Sequence, residues 1–217
     1  LYTVGRRGVA GTLFVHKLAG AAAEQGKSLP EVKAIAEKAV SRIKTLGFAF
    51  SSCTVPSKGS PTFELADDEM EYGVGIHGEP GIRREKVISA DALAARMVDA
   101  LVKELNLTDA SGAELALLVN GLGGTPEQEL YILNRAVRAE LAARQLNVSF
   151  SLVGNFMTSL EMQGASVTLM HLDDELKALL FAPCDTPAWK LTGAPTAAPW
   201  FTPASSEAAS EAPVHYE

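Results

Sequence analysis

Residues 69–81 read EMEYGVGIHGEPG, a short apolar run that breaks into glycines on either side of a histidine. Gly73, Gly75 and Gly78 have the spacing GxGxxG, which raises a dinucleotide-binding α/β unit as the first possibility to weigh. The surrounding residues reject it. In that fingerprint the third glycine opens a helix whose N-terminus faces a pyrophosphate. Here Gly78 is followed by Glu79, Pro80 and Gly81, the next helical pattern starts near Ser89, and the Glu79 carboxylate would sit against phosphate. Residues 70–76 therefore read as a strand whose glycines mark a bulge or the close approach of a ligand or a backbone.

Outward from this stretch, helical and extended patterns follow one another. Residues 8–25 are rich in Ala, Leu and Val, contain no proline and stop at Gly26, as a packed helix with a glycine terminator does. A second helix is expected from Ser28, with Glu31 closing a capping box. Val32, Ile35, Ala39, Ile43 and Leu46 form its apolar face, and Gly47 ends it. Residues 48–55 read as a strand and 56–61 as an exposed turn. Residues 89–105 place Leu93, Met97, Leu101 and Leu105 on one helical stripe.

Residues 114–120 read as a short buried strand. Residues 121–124 lead into a helix signalled by Thr125, Pro126 and Gln128 and running to Gln145. Residues 147–153 alternate as a half-buried strand does. Residues 165–172 and 176–181 suggest a closing hairpin across Asp173 and Asp174, its second arm being readable also as a helical turn.

These elements describe an α/β fold of α+β character, a mixed sheet of roughly five to seven strands flanked by helices. Residues 1–47 read as helices at the end of an incomplete preceding α/β domain, and 48–190 as the mixed-sheet domain, its core ending near Pro187. Residues 191–217, dominated from Gly193 by Pro, Ala, Ser, Thr and Glu, read as a disordered tail or linker. The chain starts at Leu1, which reads as a cut made inside a longer protein.

Composition narrows the function. With aromatics at 6% and apolar residues at 47%, the balance suits helices packed on a sheet. A formal charge of −7 works against nucleic acid as a partner, since such binding rests on Lys and Arg neutralising phosphates. A small molecule or another protein is expected instead. No run approaches the roughly 18–20 apolar residues of a membrane helix, and no signal-peptide pattern opens the chain. The expectation is a cytoplasmic protein without a membrane partner. Cys53 and Cys184 form no CxxC pair and read as reduced, mostly buried thiols, with no metal site implied.

The candidate chemistry centres on His77. A neutral imidazole nitrogen is a nucleophile near physiological pH, and flanking glycines let a small substrate approach without a side-chain wall. Glu79 is close enough in sequence to orient the ring. The same residues also suit a structural histidine that bonds its own loop. His16 and His171 read as structural, and His215 lies in the tail. The acidic run at Asp67, Asp68, Glu69 and Glu71 reads as a solvated loop rather than a metal site. Residues 121–124 suit either a phosphate cradle or a plain turn before a helix.

Three separated segments then carry a resemblance: LYTVGRRGVAGTLFVHKLAGAAAE at 1–24, GIHGEPGI at 75–82 and VNGLGGTPEQELY at 119–131. In this order they resemble the dihydroxyacetone kinase K subunit family, over residues 1–187 and only in the C-terminal portion of that family's domain. The resemblance implies that His77 is the catalytic and substrate-binding residue, forming a covalent hemiaminal with the ketone carbon of dihydroxyacetone, with Gly78 beside it in the substrate-binding loop. It implies a homodimer and no cofactor in this chain, with ATP or ADP and Mg held by a separate L subunit or L domain. The family's GSGHEP-type motif and a later aspartate, which supply further substrate contacts and a general base, do not occur here, nor does a GxxxxGK[ST] sequence. The chain alone is therefore expected not to phosphorylate. The other function class compatible with the resemblance is a non-catalytic relative that binds dihydroxyacetone and acts as a transcriptional coactivator.

Overall fold

The computed structural model describes residues 8–77 and 81–192. Its sheet strands are β1 (Ile43–Ala49), β2 (Glu69–Tyr72), β3 (Arg83–Lys86), β4 (Glu114–Gly121), β5 (Asn147–Gly154) and β6 (Gly164–His171). They form one six-stranded sheet in the order β3-β2-β1-β6-β4-β5. The β4 and β5 pair is parallel and every other neighbouring pair is antiparallel, so the sheet is mixed, as the sequence suggests.

The strand β4 is buried along its length apart from Glu114, which is why ELALLV shows no polar alternation: both faces of the sheet are covered. Its side chains divide between two cores by the two-residue period of a strand. Leu115, Leu117 and Val119 pack under α3 (Ala90–Glu104) and α4 (Glu127–Ala143), with Leu93, Met97, Leu133 and Val137. Ala116 and Leu118 face α1 (Gly11–Glu24), α2 (Leu29–Arg42) and α5 (Asp174–Phe181), with Phe14, Leu18, Ile35 and Leu176. The helix α4 is the crossover that the parallel pair of β4 and β5 requires. A small hairpin of β7 (Cys184–Asp185) and β8 (Lys190–Leu191) carries Trp189 onto the second core. There its ring lies 6.4 Å from Phe14 and 5.8 Å from Phe150, so the core extends past Pro187.

Several boundaries differ from the sequence reading. The capping box of Ser28 and Glu31 is present, but α2 ends at Arg42 and residues 43–49 pair with β6 along their whole length. Ile43 is apolar on either pattern, and it extended the helical stripe across a boundary that the β-branched pair Ile43 and Thr45 sets. The boundary expected after residue 47 thus falls inside β1, and α1 and α2 share a core cluster with the sheet. The strand expected at 48–55 stops at Ala49, and the one expected at 70–76 stops at Tyr72.

The strand β3 has no apolar signal, being four polar residues on a sheet edge, where charge blunts pairing with other chains. After β6 the chain forms the helix α5 rather than a hairpin, with the Asp173 carboxylate accepting from Leu176 N at 3.0 Å as its N-cap. Thr125 does not cap α4. Its hydroxyl donates to Gly164 O at 2.8 Å and accepts from Gly164 N at 2.7 Å, and Pro126 occupies the cap position. Of the tail expected at 191–217, Leu191 belongs to β8, and residues 193–217 lie outside the described residues.

Candidate functional site

The His77 side chain is exposed, at a bend that follows β2. Just after Tyr72, Gly73 turns the chain with φ +82, and a Cβ there would lie 2.6 Å from the Ile82 side chain. Only glycine satisfies both the backbone and the packing. Gly73 N donates to Gly47 O at 2.7 Å, which keeps the turn against β1. Val74 and Ile76 then pack with Ala49, Cys53, Phe63, Leu122 and Met162, so the residue before His77 is held in an apolar cluster while the imidazole stands outside it.

The support for that cluster is built from the loops after β4 and before β6. Asn120, fully buried at the end of β4, donates from Nδ2 to Met157 O at 2.8 Å and accepts at Oδ1 from the N–H groups of Phe156 and Met157 at 2.9 and 2.8 Å. Ser159 N donates to Leu122 O at 2.8 Å, and Gly124 N to Met162 O at 2.9 Å. A Cβ at Gly123 would lie 1.9 Å from Leu160 O, and one at Gly124 would lie 2.3 Å from Glu161 O. The glycines of VNGLGG therefore permit two backbones to lie flush. With the N–H groups of Leu122 and Gly124 already bonded to Gly164 O and Met162 O, the stretch is a packed turn, not a phosphate cradle.

Two buried polar side chains reach the His77 stretch itself. The Ser159 hydroxyl, 5% exposed, donates to Ile76 O at 2.8 Å and lies 3.4 Å from Cys53 Sγ. On the far side, Glu71 Oε1 accepts from Gly81 N at 2.9 Å, and Glu71 Oε2 accepts from Arg84 Nε at 3.4 Å. Sequence reasoning missed both. Glu71 belongs to an acidic run read as a solvated loop; Asp68 fits that reading, being exposed and paired with Lys86, but Glu71 is 8% exposed. The opposite charges of Glu71 and Arg84, cross-strand partners in β2 and β3, are the signal that recognising β3 would have supplied. Burial pushes the Tyr72 hydroxyl up from its ordinary value, against the pull of Arg96 and Arg83, whose guanidinium groups stand 4.6 and 5.3 Å from its ring.

The remaining sequence candidates are scattered. Gly78 and Glu79 lie outside the described residues. His16 is exposed on α1. His171, half-buried at the end of β6, has its imidazole held below the ordinary value by burial and by Arg42, with Asp173 opposing. Cys53 is buried and Cys184 half-buried, both as free thiols. A cavity of about 530 Å³ between α1, β1 and α3 touches Gly73 and Ile82 but is not lined by His77. Among the described residues no three His, Cys, Asp or Glu side chains converge as metal ligands, and no helix is long and apolar enough to cross a membrane.

Comparison with known proteins places this geometry in context. The Dak1 domain matches residues 1–188. The dihydroxyacetone-binding subunit DhaK of a PTS-dependent dihydroxyacetone kinase from Listeria innocua is 49% identical over 189 residues, covering 87% of this chain and 57% of the relative. Among solved structures, the dihydroxyacetone kinase operon co-activator Dha-DhaQ superposes with a TM-score of 0.77 at 39% identity, over 84% of this chain and 57% of that one. The dihydroxyacetone kinase of C. freundii in complex with AMP-PNP and Mg2+ gives a TM-score of 0.76 at 30% identity, over 97% of this chain and 38% of that one. The chain thus spans just over half the length of the curated relatives it matches first.

Proposed function

Because this chain belongs to the Dak1 domain family, we propose that it is the substrate-holding part of a dihydroxyacetone kinase, with His77 as the residue that bonds dihydroxyacetone. The observation that carries the reading is the placement of one exposed imidazole directly after a half-buried, hydrogen-bonded residue, in a chain 49% identical to a dihydroxyacetone-binding subunit.

The imidazole lone pair adds to the ketone carbon and forms a C–N bond. The carbonyl π electrons move to oxygen, which is protonated as the ring gives up its N–H proton, so the product is a neutral hemiaminal and no atom is lost. The adduct fixes one terminal hydroxyl in space, and much of the rate gain is positional. It also selects. Glycerol has hydroxyls but no carbonyl and cannot form the bond, a stronger discrimination than counting hydroxyls would give.

The phosphoryl group comes from ATP, or through bound ADP, held with Mg by an L subunit or L domain that docks on the His77 side. In this reading the nucleotide and its Mg belong to that partner rather than to this chain. The working unit is a homodimer, and Gly78 shares the substrate-binding role with His77.

A second reading rests on the likeness to a co-activator of a dihydroxyacetone kinase operon. In it the same histidine captures the same ketone without phosphorylation. Native mass spectrometry of the full-length chain with dihydroxyacetone tests both. One adduct mass, abolished in His77→Ala, is expected, and its absence in the unaltered protein contradicts both readings. Adding the L partner and nucleotide then separates them: turnover supports the kinase, and binding without turnover supports the co-activator.

A further inference from the structure

We infer that Ser159 and Glu71 are positioning residues for His77, holding the backbone on its two sides so that the imidazole meets a substrate in one place. This deepens the reading of His77 as the residue that bonds the ketone, and rests on it.

On one side, Ile76 O, the carbonyl immediately before His77, accepts the Ser159 hydroxyl at 2.8 Å. Ser159 is itself held from behind, its N–H on Leu122 O at 2.8 Å and its carbonyl accepting from Met162 N at 3.1 Å. It is 5% exposed, so the bond is shielded from competing water. On the other side, Gly81 N donates to the Glu71 carboxylate at 2.9 Å, and Ile82 N donates to Tyr72 O at 2.7 Å. A Cβ at Gly81 would lie 2.5 Å from Tyr72 O and 2.9 Å from the Glu71 side chain, so glycine there lets the chain lie flush on β2. This gives the last glycine of GIHGEPG a packing role distinct from substrate access.

A carboxylate 8% exposed is costly to bury, and this one is repaid by a backbone N–H and the Arg84 guanidinium rather than by the core. Ser159 bonds the carbonyl directly before His77, and Glu71 bonds the amide four residues after it. The backbone directly before His77 is thus tied to the 155–163 loop, and the chain entering β3 at Gly81 is tied to β2. Covalent capture is sensitive to such placement, since a misplacement of about 1 Å costs on the order of a hundredfold in rate.

The test uses the full-length chain with Ser159→Ala, Ser159→Thr, Glu71→Ala and Glu71→Gln. For Ser159→Ala and Glu71→Ala we expect the dihydroxyacetone adduct fraction and kcat to fall about ten- to a hundredfold, with the affinity for the L partner unchanged. Ser159→Thr, which retains the hydroxyl, recovers most of the loss, and so does Glu71→Gln, which keeps an acceptor for Gly81 N. Amide hydrogen exchange of the 74–82 peptide without substrate rises in both alanine variants. Should an alanine variant fail to fold, Ser159→Cys, whose thiol is a weak donor, and Glu71→Met, which removes the acceptor, give the same comparison at nearly constant volume. Wild-type adduct levels and unchanged exchange in the folded variants overturn the proposal. If the unaltered protein forms no adduct, the reading of His77 fails by itself, and the exchange measurement still decides whether Ser159 and Glu71 hold the loop.

Discussion

The side chain of Asn120 and the backbone of Met157 bond to each other in both directions: Asn120 Nδ2 donates to Met157 O, and Asn120 Oδ1 accepts from Met157 N, each at 2.8 Å. A third bond, from Phe156 N at 2.9 Å, uses the remaining lone pair of the same oxygen. One carboxamide at the end of β4 thereby replaces regular pairing for the start of the loop that carries Ser159.

Asn120→Ala removes the partner of these half-buried backbone groups at a position that is itself fully buried. We expect a loss on the order of 3 kcal/mol in denaturant unfolding. Asn120→Asp keeps the acceptor and removes the donor, and its loss should be intermediate. Equal stabilities for the two variants would contradict this account of the loop.

Gly123 and Gly20 offer a paired test of why glycine stands where it does. Gly123 has φ +120 and no room for a Cβ, so Gly123→Ala should cost on the order of 3 kcal/mol through strain and displacement of Leu160 O. Gly20 is exposed in α1 with nothing within 4 Å of the added atom. Gly20→Ala should stabilise by roughly 0.5–1 kcal/mol, as helix propensity dictates. Thermal unfolding of the two variants reads both effects.

These residues also show where the sequence is legible. The strand β4 and the helix α3 could be read because a doubly covered strand and a one-sided helix print different periods in apolar residues. His77 stood out because glycines flank it and because GIHGEPGI resembles a family motif. Glu71 could not be told from Asp68 by type or spacing. What separates them is the pairing of β2 with β3, which brings Arg84 and Gly81 to one acid and leaves the other in solvent. Ser159 lies in a loop with no periodicity, and its role comes from contacts with residues 37 and 83 positions away, Leu122 and Ile76. Such long-range bonds leave no local trace.

Acidification should weaken the fold through His171. Its imidazole is held below its ordinary value, first by burial and then by Arg42, with Asp173 pulling the other way. Below the ordinary histidine value the unfolded chain takes up the proton more readily than the folded one. The stability contribution is therefore intact above that value and is lost as pH falls through the folded-state value. His171→Gln should flatten the slope of unfolding free energy against pH between about 7 and 5. An unchanged slope would mean that His171 does not titrate with folding.

The most direct measurement is carbon NMR of the full-length chain, labelled with ¹⁵N-histidine and mixed with dihydroxyacetone carrying ¹³C at the ketone. The expected result is a tetrahedral carbon signal split by coupling to a histidine nitrogen and absent in His77→Ala. A ketone signal that persists beside free hydrate alone, or a coupled signal that survives in His77→Ala, would contradict the assignment of His77 as the residue that bonds the substrate.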